Sequence, residues 1–364
     1  MSTALKAWAD RLLGRGEAAI TVPVMDGALK PNRALENATV VAELPGIEDL
    51  ASDGQKLWVA AGNILYELVG EELHKVETFD APITGLAVRS ASERALAIGG
   101  QKIVVVGGAH GGAILTSLGS EPLLSVNALA FDEEGNLYFT EGSARYPLEK
   151  WNFDLMSLGQ SGRVGYWSLT DNSAREVRRG LAYPFGVLVS GAEILVSESW
   201  RHRVLRLGQG KPVELLHELP GYPSRLSGAL GGGFWLTCFV CRTQLVEFVL
   251  REPDYRRRMM EEVDPRYWVA PALSSGTSFL EPLQGAGVKQ MGVLKPWAPP
   301  RSYGLVVRVS ASGEILYSFH SRVDGHHHGI TAVCECGGAL YVASKGAGRL
   351  LRLAPGAPVE SENV

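Results

Sequence analysis

Six times along this chain a boundary residue, small or polar in five cases and Phe185 in the other, opens an apolar segment of strand length, and a second apolar segment follows after a turn. The openings read Glu48-Asp49-Leu50-Ala51, Thr84-Gly85-Leu86-Ala87, Asn127-Ala128-Leu129-Ala130, Phe185-Gly186-Val187-Leu188, Ser224-Arg225-Leu226-Ser227 and His328-Gly329-Ile330-Thr331. The answering segments centre on Trp58, Ala97, Tyr138, Leu195, Trp235 and Tyr341, 10 to 13 residues downstream. That distance suits one strand, a tight turn and the next strand. Successive openings lie 36, 43, 58, 39 and 104 residues apart, so four of the five intervals are close to the length of a propeller blade or modestly longer. The pattern predicts an all-β fold, a six-bladed β-propeller. In that architecture the first strand of each blade lines a central channel, and its opening residue points into one mouth. Glu48, Thr84, Asn127, Phe185, Ser224 and His328 are the side chains expected to meet there.

Closing the ring requires one more strand. Residues 38–42 form an apolar run with no partner of their own, and the last unit lacks a further strand after Leu350-Leu351-Arg352-Leu353. Pairing the two completes the final blade and removes two exposed edges. The expected organisation is an N-terminal extension over residues 1–35 and one propeller over 36–364, with insertions near 146–162 and 250–302. In the first insertion Leu148, Trp151, Leu155 and Leu158 fall on one helical stripe. In the second, Pro253-Asp254-Tyr255 starts a charged helix, and an aromatic loop follows with Tyr267, Trp268, Phe279, Trp297 and Tyr303. Apolar residues in loops this long cover something, either as a lid on the rim or as a wall of a substrate pocket.

Composition narrows the function classes. Glycine at 43 of 364 positions fits many hairpin turns and few long helices. A net charge of −4 with interspersed signs offers no basic stripe for nucleic acid, and no run has the length of a membrane span. Residues 1–16 read as a short amphipathic helix or a loose tail without a signal-peptide core, so a cytoplasmic location is expected. Cys238, Cys241, Cys334 and Cys336 sit in neighbouring blades at a spacing that zinc sites use. Cys238 and Cys241 are an odd number of residues apart and face opposite sides of a strand, so buried free thiols are expected instead. The oligomeric state is left open by the pattern.

With the blades placed, several phrases resemble the strictosidine synthase-like branch of the superfamily that also holds paraoxonases and the SMP-30/gluconolactonase lactonases. Asn136-Leu137-Tyr138-Phe139-Thr140 with Ser143-Ala144-Arg145-Tyr146 is similar to that branch's third blade. Arg203-Val204-Leu205-Arg206, Leu219-Pro220-Gly221-Tyr222-Pro223 and Gly233-Phe234-Trp235-Leu236 extend the similarity. The resemblance implies a six-bladed propeller with its chemistry at the channel mouth. It also implies calcium ligands of the lactonase kind, of which Glu48 and Asn127 match two. Phe185, Ser224 and Arg225 stand where another asparagine and an aspartate-asparagine pair would complete the set, so the divalent site is incomplete and no cofactor is expected. The glutamate of the plant strictosidine synthases corresponds to Thr331, and without that carboxylate strictosidine synthesis itself is not expected.

The chemistry that remains centres on Glu48 and His328. Blades six and one are neighbours in a closed ring, so the two are expected to meet as a general acid/base pair, with the carboxylate orienting the imidazole. The alternative for His328, in the run His326-His327-His328, is a loop cap. Arg225 is either paired with Glu48, Asp49 or Glu198, or free to clamp an anionic or carbonyl group. Substrate-binding candidates are Thr84, Asn127, Tyr183, Phe185, Trp200, Tyr222, Ser224, Arg225 and Thr331, with Phe239 nearby. Two classes stay open. One is an enzyme acting on a small molecule, foremost a lactone or ester hydrolase, with a lyase or a C–C/C–N bond-forming enzyme behind it. The other is a non-catalytic propeller that binds a ligand or a protein.

Overall fold

The computed structural model describes residues 22–282 and 301–356, together with the backbone of 289–290 and 293–294. Six four-stranded antiparallel sheets follow one another along the chain as the blades of a propeller. Their inner strands are Ile47–Ser52, Ile83–Ser90, Val126–Phe131, Pro184–Ser190, Gly221–Gly228 and Ile330–Cys336. The outermost strand of the sixth blade comes from the other end of the chain: Thr39–Glu43 pairs antiparallel with Arg349–Leu353, Val40 opposite Leu351. The closure expected from the sequence is therefore present, one residue further along. The extension ahead of it is also anchored, with Leu35 buried and its N–H bonded to the His320 carbonyl at 3.1 Å. The proposed helix over residues 1–16 lies outside the described residues.

Burial explains why these segments are strands. The second strand of blade one, Leu57–Ala61, is buried at every position because both of its faces meet a neighbouring blade. The outer strand Glu72–Thr78 is instead largely exposed and polar. Apolar layers between blades lock them face to face: Trp58 and Leu65 pack on Leu86, Leu96 and Ile98, while Phe139 and Trp167 pack on Ala95, Ala97 and Val105. Each of the large aliphatic and phenylalanine side chains among them contributes about 1.5–3 kcal/mol of transfer free energy. All four cysteines are buried and free, with burial raising the thiol pKa of Cys238, Cys241 and Cys334.

Every inner strand breaks register with its neighbour near its start. The shifts fall between Ile47 and Asp49, Ile83 and Gly85, Val126 and Ala128, Pro184 and Val187, Pro223 and Leu226, and Ile330 and Ala332. Such bulges re-aim a side chain and leave backbone groups unpaired in the ladder. The residues at the breaks are Glu48, Thr84, Asn127, Phe185, Ser224 with Arg225, and Thr331. Five of the expected mouth positions hold, and the sixth is corrected: Thr331 occupies the place assigned to His328, which lies two residues ahead of the strand in the preceding loop. Both Thr331-Ala332-Val333 and His328-Gly329-Ile330 satisfy a polar-then-apolar pattern, and only the bulge distinguishes them.

Among the described residues the insertions form three α-helices. Trp151–Met156 (α1) is shorter than its stripe, since Leu158 lies past its end at φ 54° and is exposed. Gln244–Arg251 (α2) begins earlier than the expected boundary and contains Val249; its N-cap Thr243 accepts the Val246 N–H at 3.3 Å. Pro253–Glu262 (α3) has its proline in the first turn, where no N–H is missed. The insertion carrying α2 and α3 splits blade five between its second strand, Phe234–Cys241, and its third, Gly304–Val309. Trp268 and Tyr303 are buried and Phe279 is fully exposed, while Trp297 lies outside the described residues. Among the described residues no helix is long and apolar enough to cross a membrane.

Candidate active site at the channel mouth

The carbonyls freed by the bulges are taken up by hydroxyls of the preceding blade, which makes a belt around the channel. Thr84 Oγ1 donates to Val126 O at 2.7 Å, Thr140 Oγ1 to Phe185 O at 2.7 Å and Ser197 Oγ to Ser224 O at 2.6 Å. Ser224 Oγ donates to Ile330 O at 3.1 Å, and Thr331 Oγ1 closes the circle on Glu48 O at 2.8 Å. Between blades one and two the acceptor is a side chain, since Asp49 Oδ2 receives the Leu86 N–H at 2.8 Å. The Asn127 amide lies 2.8 Å from Thr140 Oγ1, and because that hydroxyl gives its proton to Phe185, the amide nitrogen is the donor. Thr84, Asn127, Ser224 and Thr331 are thus committed to holding blades together.

Arg225 crosses the centre of this belt. Its Nε donates to Asn127 O at 3.1 Å, Nη1 to Glu48 O at 2.8 Å and Thr331 O at 3.3 Å, and Nη2 to Thr84 O at 2.7 Å and Glu48 Oε1 at 3.2 Å. Nε also lies 3.1 Å from Asp49 Oδ2, and the guanidinium sits 5.1 Å from the Phe185 ring centroid. From blade five, one side chain reaches all five other blades while remaining 5% exposed. Its five N–H groups are all engaged, so the paired alternative for Arg225 holds and the guanidinium is not free to clamp a substrate. The acid partners are Glu48 and Asp49; Glu198 instead pairs with Arg203 and caps the Ala182 N–H.

A calcium ion does not fit this centre. The oxygens that converge on the axis, four carbonyls and the carboxylates of Glu48 and Asp49, already neutralise the Arg225 charge, and a divalent ion would meet a fixed cation there. Among the described residues no cluster of three or more His, Cys, Asp or Glu has metal-holding geometry.

Above the hub the mouth is charged. The second Glu48 oxygen accepts from the Lys345 ammonium, whose side chain is 36% exposed against 15% for Glu48. Burial pushes the Glu48 carboxyl upward, but Lys345 and Arg225 more than offset it, and the net shift is downward. Glu48 is therefore a carboxylate at neutral pH, an acceptor and not an acid. For Asp49 the balance reverses: burial wins over Arg225 and two backbone N–H bonds, with Glu48 adding repulsion, and the carboxyl is pushed up to about 6. Sequence reasoning missed Lys345. The available signal was its place one residue past Ala339–Ser344, where an antiparallel second strand returns to the mouth.

His328 does not meet Glu48. Its Nδ1 lies 2.7 Å from Ser302 Oγ and its Nε2 2.8 Å from the Arg322 carbonyl, while Glu48 is engaged by Arg225 and Lys345. Burial lowers the imidazole pKa from its ordinary value, which leaves the ring neutral at pH 7. The aromatic candidates form one packed wall over blades four and five. Tyr183 stacks on Trp200 at 4.3 Å, Phe185 lies 5.5 Å from Phe239, and Trp200 lies 5.8 Å from Tyr222. Leu155 and Met156 of α1, Val249 of α2, Met259 of α3 and Trp268 complete the cluster, so the insertions act as a lid. Of the wall's named candidates Trp200 alone keeps partial exposure.

Comparison with known proteins agrees with this architecture. The strictosidine synthase family model matches residues 127–207, blade three and most of blade four. Strictosidine synthase-like 13 protein of Arabidopsis thaliana is 28% identical over 42% of this chain, and the chain spans 40% of that relative's length. The adipocyte plasma membrane-associated protein of Danio rerio is 23% identical over 88% of this chain and 79% of its own. A gluconolactonase structure from Xanthomonas campestris superposes with a TM-score of 0.56 at 13% identity, covering 92% of this chain and 95% of that one. The chain resembles the strictosidine synthase-like branch of the six-bladed propellers, and its fold is that of the gluconolactonase-type structures.

Two outcomes follow from the hub. Replacing Arg225 by Met leaves Glu48 and Asp49 buried without their shared cation, and urea denaturation is expected to show a loss of about 3–5 kcal/mol. An unchanged midpoint would mean the guanidinium holds nothing together. Asp49 keeps its proton in the fold up to about 6, whereas the unfolded chain releases it near the model-peptide value of 3.8. The native state binds more protons between these limits, so this residue's contribution to stability falls as pH rises through that window. Denaturation of wild type against Asp49→Asn between pH 4 and 6.5 is expected to show that slope in wild type only.

Proposed function

We propose that this protein hydrolyses a lactone or ester of a small molecule at the channel mouth. The observation that carries the reading is the Lys345–Glu48 ion pair, partly exposed at the mouth of an otherwise closed channel. Attack on an acyl carbon places negative charge on the carbonyl oxygen, and a fixed ammonium in a partly desolvated site stabilises that charge without reorganising. Glu48 holds the ammonium in place, and Arg225 below it keeps Glu48 ionised. The lid over blades four and five excludes water from one side, and Trp200, the partly exposed member of its wall, offers an apolar contact for the acyl group. The likeness to a gluconolactonase in fold supports the substrate class, as does similarity to the strictosidine synthase-like branch.

A second reading, a non-catalytic propeller that binds a partner, draws on Tyr183, Phe185, Tyr222 and Phe239 packing on one another in place of lining an open cleft. A panel of lactones and aryl and alkyl esters separates the two. Turnover by the wild type, with kcat/KM lowered about 10²–10³-fold by Lys345→Met while the fold is kept, supports the hydrolase. A panel without turnover above background, or activity indifferent to Lys345→Met, contradicts it.

A further inference from the structure

Beside the mouth, and apart from the belt, three side chains form a directed chain of hydrogen bonds. His328 Nε2 faces the Arg322 carbonyl at 2.8 Å. A carbonyl only accepts, so Nε2 carries the ring proton and Nδ1 is an acceptor for the Ser302 hydroxyl at 2.7 Å. Having donated to His328, Ser302 Oγ is left to accept from Ser275 Oγ, 2.6 Å away. The bonds therefore run one way, from Ser275 through Ser302 to a neutral imidazole. Ser302 is 1% exposed and His328 6%, whereas Ser275 on the lid loop keeps partial exposure. The order is that of an activated nucleophile: a hydroxyl on a partly exposed residue, an enclosed relay and a base whose far nitrogen is fixed.

The loop that carries Ser275 reaches the proposed site. The Leu273 carbonyl packs against Gly346 and Gly329 so closely that a side chain at Gly346 would collide with it. Lys345, next in the chain to Gly346, bonds through its N–H to the Gly329 carbonyl at 2.9 Å. The relay and the ammonium thus hang from touching segments of backbone.

We propose that Ser275 is the nucleophile of an acyl-transfer site, with Ser302 and His328 as its proton relay and a carboxylic ester or lactone as substrate; this rests on the hydrolase reading above. Ser275 Oγ bonds to the acyl carbon as its proton passes to Ser302 and that of Ser302 to His328 Nδ1. The acyl C–O bond then breaks, and the leaving alkoxide takes the proton back along the relay, giving an alcohol and acyl-Ser275. Water repeats the sequence on the acyl-enzyme, releasing the carboxylic acid and restoring the serine. Ser275 is the catalytic residue; Ser302 and His328 are positioning residues that act through it.

A fluorophosphonate tests this without knowledge of the natural substrate, because it phosphonylates an activated serine with loss of fluoride. Full-length protein is expected to take one adduct, mapped by mass spectrometry to Ser275 and absent in Ser275→Ala, whose partly exposed position keeps the fold. Ser302→Ala and His328→Gln are expected to slow labelling about 10²-fold or more. The wild-type rate should fall as acid protonates His328, and His328→Gln should lose that dependence. Glu36, His326, His327, Arg322 and Tyr303, the last stacked on the ring at 6.4 Å and held protonated by burial, are the other charged or titratable groups around it and are unchanged in the variant. No adduct, an adduct elsewhere, or wild-type labelling and pH profile in His328→Gln overturns the relay. If esters or lactones are still hydrolysed without an adduct on Ser275, the relay fails and the hydrolase reading stands. An adduct on Ser275 with no turnover across the substrate panel does the reverse.

Discussion

Six bulges at one level of the propeller free backbone carbonyls around the channel, and the inner ring depends on how those carbonyls are satisfied. A buried carbonyl without a donor costs about 1–3 kcal/mol, so a ring of them requires a matching ring of donors. The hydroxyls of Thr84, Thr140, Ser197, Ser224 and Thr331 supply part of it, each reaching across to the next blade. Arg225 supplies the rest, since a guanidinium carries five donors in a rigid plane. Its positive charge in turn requires Glu48 and Asp49 beside it. The axis of this propeller is therefore closed by a residue of its own chain.

That closure shapes what the mouth can do. With Arg225 fully engaged, the outward oxygen of Glu48 faces Lys345, and the partly exposed charged edge of the mouth lies toward blade six. The lid built by the insertions covers blades four and five with apolar side chains, which leaves the polar sector of the mouth beside Glu48, Lys345 and the Ser275 loop. Burial then sets the charge states: Glu48 ionised by two cations, Asp49 drawn toward neutrality, His328 kept neutral.

Repetition made the fold legible. Six openings, five of them small or polar, with four of their five intervals near blade length, and an unpartnered strand at each end suffice to specify a closed six-bladed ring. Glu48, Thr84, Asn127, Phe185 and Ser224 were placed correctly because the bulge falls at the boundary that the pattern marks. The sixth opening falls at Thr331 and not at His328, three residues earlier, because Gly329 and Ile330 extend the pattern backwards, and the bulge that fixes the register leaves no trace in composition. Lys345 needed the second strand to be followed to its end. Ser275 and Ser302 are brought together by an insertion whose path no periodicity encodes, and the pairing of Arg225 depended on which of three acids lay within reach.

The inner ring is held by the guanidinium at the axis, and a high-resolution crystal structure grown in calcium tests this most directly. The prediction is planar density for Arg225 bridging the carbonyls of Glu48, Thr84, Asn127 and Thr331, with no ion on the axis. A calcium ion at the centre of the ring with Arg225 swung aside would contradict it.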